Sequence, residues 1–430
     1  YATEAYIDTN SERLLSCCMS VFGWNAYESG PLAAGPMIGE RDAATARIWV
    51  QARSQSLLTL RLHSADVNDA EAVIFAVEQT PQLDDWLCVV FVVSNLEPGR
   101  AYQYSFQNTE GVSPLFPLCP GVAEGASQIR IAFGSCYKYY SQVLPVFDAI
   151  CAADPELFLL LGDTCYSEEE DRSSEASFMQ MHLRNRNNDN LRRLIAKTST
   201  LGIWDDHDYG PNDSDGSYRE KERSLRCFRR MWAQRQYGAE GNSQEGSGIY
   251  SKVSAGPVDL FLLDSRFHRQ ERHCILGEAQ LQWLIQGLRT SQAPVKLLLS
   301  GSQLLPEVAA RSGWDWECFR RDGQAELAQL QRVLAEENIS GVVILSGDPH
   351  LGQLFHCAGV LRSDGQRGPE LWELTSSPIA NRPWTHPVWP ADNASGSEHA
   401  LDRYLLEEVA AANFGMVDVD LNRSGAEIRV

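Results

Sequence analysis

Four short apolar runs in the second part of the chain end directly in polar residues. The runs IRIAF, ELFLLL, TLGIW and GVVILS lead into GSC, GDTCY, DDHD and GDPH. Segments with helical spacing lie between apolar runs of this kind, and such alternation is typical of a layered α/β domain. Open α/β sheets build their sites where strands end at their carboxyl termini. We therefore expect the four polar segments to meet at one edge of a sheet.

These segments bring acidic side chains together with histidine, tyrosine and cysteine. The candidate site residues are Cys136, Asp163, Tyr166, Asp205, Asp206, His207, Asp348 and His350. Neighbouring carboxylates repel each other unless a cation lies between them. Converging carboxylates with these other donors predict a dinuclear metal centre.

The candidate ligands differ in chemical hardness. Cys136, Tyr166 and His350 suit a transition metal, and a thiolate combined with a phenolate suits ferric iron. Asp206 and Asp348 are hard oxygen donors, and Asp163 could bridge two ions. The first position therefore suits ferric iron, and the second suits Ca²⁺, Mg²⁺ or Mn²⁺.

The first part of the chain has a different pattern. The runs TARIWVQA, LLTLRLHS, EAVIFAVEQ and LCVVFVVSNL are short, alternating and rich in β-branched and aromatic residues, which predicts strands. The segment LEPGRAYQYSF resembles the tyrosine corner of immunoglobulin and fibronectin-type sandwiches. We predict a helical segment over 1–30, a β-sandwich over 31–114, a linker over 115–127 and an α/β domain over 128–430.

Composition excludes some functions. The formal net charge of -20 argues against binding of a nucleic-acid backbone, and no apolar run is long enough to be a transmembrane segment. The 11 cysteines form no CxxC pair, and their odd count favours a reducing, cytoplasmic compartment. The chain begins with Tyr1 rather than Met, so removal of an export leader stays open, as does the oligomeric state.

The polar segments match a known family. The GDxxY element formed by Gly162, Asp163 and Tyr166 resembles that of the metallophosphatases, purple acid phosphatases included. The segment WDDHD, residues 204–208, stands where those enzymes carry GNHE, and GDPH, residues 347–350, stands where they carry GHxH. These aspartate versions, with FGSC upstream, LDSR at 263–266 and NFG at 413–415, resemble the alkaline phosphatase D (PhoD) family. The resemblance implies a calcineurin-like metallophosphatase α/β sandwich domain after an N-terminal β-sandwich.

The resemblance also implies roles for individual residues. Cys136, Asp163, Tyr166 and His350 would hold iron, and Asp163, Asp206 and Asp348 would face calcium. His207 takes the place of the histidine that assists phosphate hydrolysis. The usual second-metal histidine has no counterpart, because LLSGSQLL offers only Ser302 or Gln303 in that region. Fewer nitrogen ligands favour a hard second cation.

The expected activity is hydrolysis of a small-molecule phosphate ester by metal-activated water, as a phosphomonoesterase, a phosphodiesterase or both. Two alternatives are a phospholipase D-type phosphodiesterase on the same scaffold and a non-catalytic, metal-stabilised interaction protein. The Pro-rich stretch 381–399 is either a binding wall or an ordinary surface crossing.

Several nearby residues have competing interpretations. We expect Asp205 to cap a helix or support a ligand, and Asp208 to form a structural pair. Asp213 and its neighbour Asn212 suit a hard-cation shell and an ordinary turn equally well. Arg266 could bind substrate phosphate or pair with Asp264.

Overall fold

The computed structural model describes residues 30–65, 73–138, 145–238, 248–306, 317–384, 403–422 and 427–429. The predicted helical segment over 1–30 lies outside the described residues except for its last residue. Most of the Pro-rich stretch 381–399 lies outside them as well. Among the described residues, no helix is long and apolar enough to cross a membrane.

Two antiparallel sheets form the N-terminal part. The first has the order β1-β2-β5 and consists of β1 (Leu32–Arg41), β2 (Ala46–Ala52) and β5 (Cys88–Val93). The second has the order β4-β3-β6-β7, with β8 paired to β6; it consists of β3 (Leu58–Ser64), β4 (Val73–Gln79), β6 (Tyr102–Asn108), β7 (Gly111–Val112) and β8 (Phe116–Leu118).

Both of these sheets contribute to one apolar cluster. Leu58, Leu60 and Leu62 alternate along β3 and belong to the same buried cluster as Phe91 of β5. The Tyr102 hydroxyl accepts a hydrogen bond from the backbone N–H of Glu97 at 2.9 Å, close to the turn that the sequence predicts. The immunoglobulin- or fibronectin-like topology and the domain boundaries stay predictions.

The rest of the chain contains two larger mixed sheets. The first has the order β11-β10-β9-β19-β20, from β9 (Gln128–Gly134), β10 (Leu157–Leu161), β11 (Ser199–Ile203), β19 (Gly415–Asp420) and β20 (Glu427–Arg429). The second has the order β12-β13-β14-β15-β17-β16-β18, from β12 (Ser251–Ala255), β13 (Val258–Leu262), β14 (Val295–Ser300), β15 (Val342–Ser346), β16 (Gly352–Cys357), β17 (Leu371–Thr375) and β18 (Arg403–Val409).

Eight α-helices are described alongside these sheets. They are α1 (Val146–Ala153), α2 (Glu175–Arg186), α3 (Asp189–Ile195), α4 (Asp206–Tyr209), α5 (Lys221–Met231), α6 (Gly277–Thr290), α7 (Phe319–Asp322) and α8 (Gln324–Glu336). Strands β13, β14 and β15 are buried along their whole length, because both faces of their sheet are covered. The predicted mixed α/β fold is confirmed.

Alternation along the strands assigns their side chains to two cores. Leu260 and Leu297 belong to a cluster shared with β9, β10 and β11, so this cluster lies between the two sheets. Their neighbours Phe261 and Leu298 belong to a second cluster with α6 and α8, which cover the outer face.

The topology brings the four predicted strand ends together. Strands β9, β10 and β11 are parallel neighbours, so their carboxyl ends lie at one edge. Gly347, directly after β15 of the other sheet, is so close that an added Cβ would meet the Ser135 Cβ at 2.7 Å and the Leu161 carbonyl oxygen at 2.8 Å. The four polar segments therefore meet as the sequence predicts.

Candidate metal centre

The chain turns sharply at the ends of these strands. Four predicted metal ligands have left-handed backbone conformations: φ is 60° at Cys136, 53° at Asp163, 83° at Asp348 and 54° at His350. Such angles are uncommon for residues other than glycine, and strained backbone of this kind concentrates at functional sites. The fold thus maintains an unfavourable backbone that aims these side chains at one place.

One cluster contains the predicted iron ligands. Cys136 Sγ lies 3.4 Å from Asp163 Oδ2, and the Tyr166 hydroxyl lies 3.3 Å from His350 Nε2. Cys136, Asp163 and His350 offer ligand atoms within 4.8 Å of one another. His350 Nδ1 lies 2.8 Å from the carbonyl oxygen of Arg382 and donates a hydrogen bond to it. That hydrogen bond fixes the tautomer and leaves Nε2 free to bind a metal.

A second cluster shares Asp163 with the first. Asp163, Asp206 and His207 offer ligand atoms within 4.8 Å of one another. The backbone N–H of His207 donates to Asp206 Oδ1 at 2.8 Å and lies 3.4 Å from Asp163 Oδ1. Asp163 therefore occupies the position between the clusters that a bridging carboxylate requires.

Carboxylates extend this second cluster outward. Asp206, Asp213 and Glu317 also offer atoms within 4.8 Å of one another, and Asp206 Oδ2 accepts the backbone N–H of Asp213 at 2.7 Å. This set contains oxygen donors alone, which suit Ca²⁺ or another hard cation. Glu317 was not found from the sequence, because it follows no apolar run and gives no local signal.

Burial and repulsion between neighbouring carboxylates disfavour the anionic forms of Asp163 and Asp348. Burial raises the pKa of Asp163 well above its usual range, and the carboxylates of Asp206, Asp205, Asp208 and Asp348 raise it further. Burial raises the pKa of Asp348, and the charges of Asp205 and Asp206 raise it further. The Asp348 carboxylate is therefore close enough to those two carboxylates to be repelled by them. A cation among these groups would reverse the local field.

Burial also shifts the pKa values of the other three candidate donors, Cys136, Tyr166 and His350. Burial raises the pKa of the Cys136 thiol, and Asp163 and Asp348 add to this effect. The pKa of Tyr166 is raised by burial, Asp163 and Cys136, whereas burial lowers the pKa of His350 and favours its neutral form. Thiolate, phenolate, carboxylate and neutral imidazole are the forms that ligate metals, so the donor set fits a buried cation.

Asp205 and Asp208 hold in place the backbone segments that carry the candidate ligands. Asp205 is the N-cap of α4 and forms a capping box with Asp208. Asp208 Oδ1 also accepts the Thr164 backbone N–H at 2.9 Å. The glycines at 162 and 301 leave room for Asp205, since an added Cβ at either would lie 2.6 Å from an atom of its side chain.

Arg266 lies in the interior and not at a substrate surface. Its side chain is fully buried, with Nε 2.6 Å from Asp205 Oδ1 and Nη1 2.5 Å from Glu317 Oε2. Arg266 donates to Asp264 through its backbone N–H alone, at 3.0 Å, and Asp264 also accepts the indole N–H of Trp204 at 2.7 Å. The guanidinium pairs with carboxylates from two other segments, so the structure contains neither a side-chain pair between Asp264 and Arg266 nor an Arg266 exposed to substrate.

Neither candidate from the LLSGSQLL segment reaches these clusters. Gln303 Nε2 donates to Gln353 Oε1 at 2.9 Å and to Thr375 Oγ1 at 2.8 Å. The Ser302 hydroxyl lies 3.4 Å from a nitrogen of Arg269.

Cys165 and His182 form a separate buried group with Asp208. Cys165 Sγ lies 3.3 Å from His182 Nδ1 and 3.4 Å from Asp208 Oδ1. Burial lowers the pKa of His182 to about 3, so the imidazole is neutral. Both side chains lie inside the core.

The fold and this cluster of strand-end ligands define a metallophosphatase. A solved structure entitled "Structure of PhoD" matches with a TM-score of 0.70 and 16% identity, covering 94% of this chain and 89% of that one. The purple acid phosphatase PPD1 from yellow lupin (Lupinus luteus) seeds matches with a TM-score of 0.57 and 11% identity, covering 91% and 70%. No curated protein matches the chain.

The family model of the PhoD-like phosphatases matches residues 131–430. The chain belongs to this family, and the resemblance stated from its motifs is confirmed. It is a phosphatase-type hydrolase. The expected non-catalytic alternative has no support from these comparisons.

Proposed function

We propose that this protein hydrolyses phosphomonoesters, phosphodiesters or both at a mixed Fe³⁺/Ca²⁺ centre. The observation that carries the proposal is the shared position of Asp163. On one side it adjoins the thiol of Cys136, close to His350, and on the other it adjoins Asp206. One carboxylate thus joins a set of donors suited to iron to a set suited to a hard cation.

Each cation has a set of candidate ligands. Cys136, Asp163, Tyr166 and His350 would hold Fe³⁺, whereas Asp163, Asp206 and Asp348 would hold Ca²⁺, with Mn²⁺, Mg²⁺ or Zn²⁺ as alternatives there. When bound, such cations polarise the phosphoryl group and lower the pKa of water.

His207 is the proposed catalytic residue. Its backbone is fixed through the N–H contact with Asp206, and its ring lies 4.3 Å from the Tyr166 ring, centroid to centroid. The side chain is only partly buried, so a substrate can reach it. We assign to its imidazole the transfer of a proton to the departing alkoxide oxygen.

The phospholipase D-type alternative uses the same metal ligands and differs only in the ester that it accepts. The cytoplasmic location likewise stays a prediction. All nine cysteines in the described part of the chain are free thiols.

The test is hydrolysis of an aryl phosphate monoester and its matching methyl aryl diester at mildly alkaline pH. Protein depleted of its hard cation by a chelator should lose turnover and regain it when Ca²⁺ is added. The ratio of the two activities decides between phosphatase and diesterase. Absence of turnover on both esters, in protein shown to contain iron, would refute the proposal.

A further inference from the structure

Lys138 is held beside the proposed centre by backbone pairing. It lies two residues after Cys136, and its backbone N–H donates to the carbonyl oxygen of Ala380 at 2.9 Å. The preceding residue, Tyr137, forms a bridge with the same Ala380. These contacts fix the point from which the lysine side chain extends.

The ammonium group lies over the ring of a proposed ligand. Lys138 Nζ is 4.6 Å from the centroid of the Tyr166 ring. The hydroxyl of that ring lies 3.3 Å from His350 Nε2, and the ring itself adjoins His207. The side chain of Tyr166 is thus surrounded by Lys138, His207 and His350.

Lys138 differs from Lys197 and Lys252 in its electrostatic surroundings. Lys252 Nζ pairs with Asp259 at 2.8 Å, and Lys197 Nζ pairs with Asp154 at 3.0 Å. Among the residues that the structure describes, no carboxylate forms a salt bridge with the half-buried Lys138. The Lys138 ammonium beside the proposed centre is therefore available to an anionic group of the substrate.

We propose that Lys138 is a substrate-positioning residue that binds a terminal oxygen of a dianionic phosphate and thereby favours phosphomonoesters over phosphodiesters. This inference rests on the proposed function. A monoester dianion has three terminal oxygens and two negative charges, so it offers the ammonium one more oxygen and a larger charge than a diester does. A diester has two terminal oxygens and one charge, so a point charge at Lys138 acts on it less strongly.

The test compares the two esters on metal-loaded Lys138→Met and Lys138→Arg proteins. The Lys138→Met change should raise KM for the aryl monoester about tenfold, the size expected for loss of one charge-assisted hydrogen bond. It should leave kcat and the KM for the matching diester within about twofold of wild type, and Lys138→Arg should restore most of the monoester affinity. Lys252→Met is the matched control, because Lys252 also lies over an aromatic ring, that of Phe261, but on strand β12.

A second readout does not depend on turnover. Binding of inorganic phosphate to the metal-loaded proteins, measured by calorimetry, should weaken about tenfold in Lys138→Met and remain unchanged in Lys252→Met. Iron and calcium contents should equal those of wild type in every variant.

Three results would overturn the inference. They are unchanged phosphate affinity in Lys138→Met, an equal rise in KM for both esters, and loss of iron, which would mean that the lysine supports Tyr166 instead. The proposed function fails separately: wild-type protein that hydrolyses neither ester, yet binds phosphate through Lys138, would refute the hydrolysis and support the lysine's role in binding.

Discussion

His207 combines a fixed backbone with an accessible ring, and this combination separates its role from that of its acidic neighbours. Asp206 accepts its backbone N–H, whereas Asp205 and Asp208 form a capping box behind it. In the proposed function, this four-residue segment would supply a metal ligand, a proton-transfer group and the acids that hold both in place. The sequence predicts this division, because capping and strand-end position are local properties.

Replacement of His207 tests the division. The change His207→Ala should lower kcat by about 10²- to 10⁴-fold, the usual contribution of a general acid or base. Iron and calcium contents should stay at wild-type levels, because the backbone N–H contact to Asp206 does not need the imidazole. Turnover and metal content should be measured on the same preparations, and loss of iron in this variant would show that the imidazole is a ligand.

At the scale of elements, the segment after β13 connects the centre to the second sheet. Arg266 lies in this segment and pairs with Asp205 before α4 and with Glu317 before α7. The sequence could not predict these pairs, because they join residues about fifty to sixty positions apart and follow no spacing rule. What it did predict, the polar ends of β9, β10, β11 and β15, depends on short-range patterns.

Removal of the buried guanidinium should destabilise the protein strongly. The change Arg266→Met leaves the Asp205 carboxylate buried without its ionic partner, whereas Glu317 keeps its pairs with Arg269 and Arg321. Loss of the partner of one buried charge costs about 3–5 kcal/mol of unfolding free energy. Urea unfolding of the metal-loaded protein measures this loss. The matched control is Arg289→Met, which breaks the exposed pair with Glu337 and should change stability little. Equal effects of the two changes would contradict the structural role of Arg266.

At the scale of the whole molecule, the centre links stability to metal and pH. The metal-free folded protein holds Asp163 and Asp348 with raised pKa values, so it binds protons more tightly than the unfolded chain does. Their contribution to stability is present below the unfolded aspartate pKa of about 4 and is lost as the pH rises towards the raised folded values. Calcium must displace these protons, so its affinity should increase over the same pH window.

Melting temperatures of chelated and calcium-loaded protein at pH 5 and pH 8 test this linkage. The stabilisation by a fixed concentration of Ca²⁺ should be larger at pH 8, because fewer protons compete for the carboxylates. The Asp163→Asn variant is the control and should show a weaker dependence on calcium. Equal stabilisation at both pH values would contradict a site built from these acids.

Sequence and structure agree best on the α/β part of the chain. The mixed α/β class and the meeting of the strand ends were predictable, because hydrophobic periodicity and the polar residues that follow each strand are visible in short segments of sequence. Glu317 and the partners of Arg266 depend on tertiary contacts between distant segments, so no local pattern contained them. The domain boundaries and the immunoglobulin- or fibronectin-like topology stay predictions.

The most direct test of the account is the metal content per chain of the wild type, Asp163→Asn and Asp206→Asn. The wild type should contain iron and calcium. Asp206→Asn should lose calcium and keep iron, because Asp206 lies only in the second cluster. Asp163→Asn should lose or weaken both, because Asp163 lies in both clusters. Wild-type protein without iron, or an Asp163→Asn protein that retains both metals at full occupancy, would contradict the shared centre.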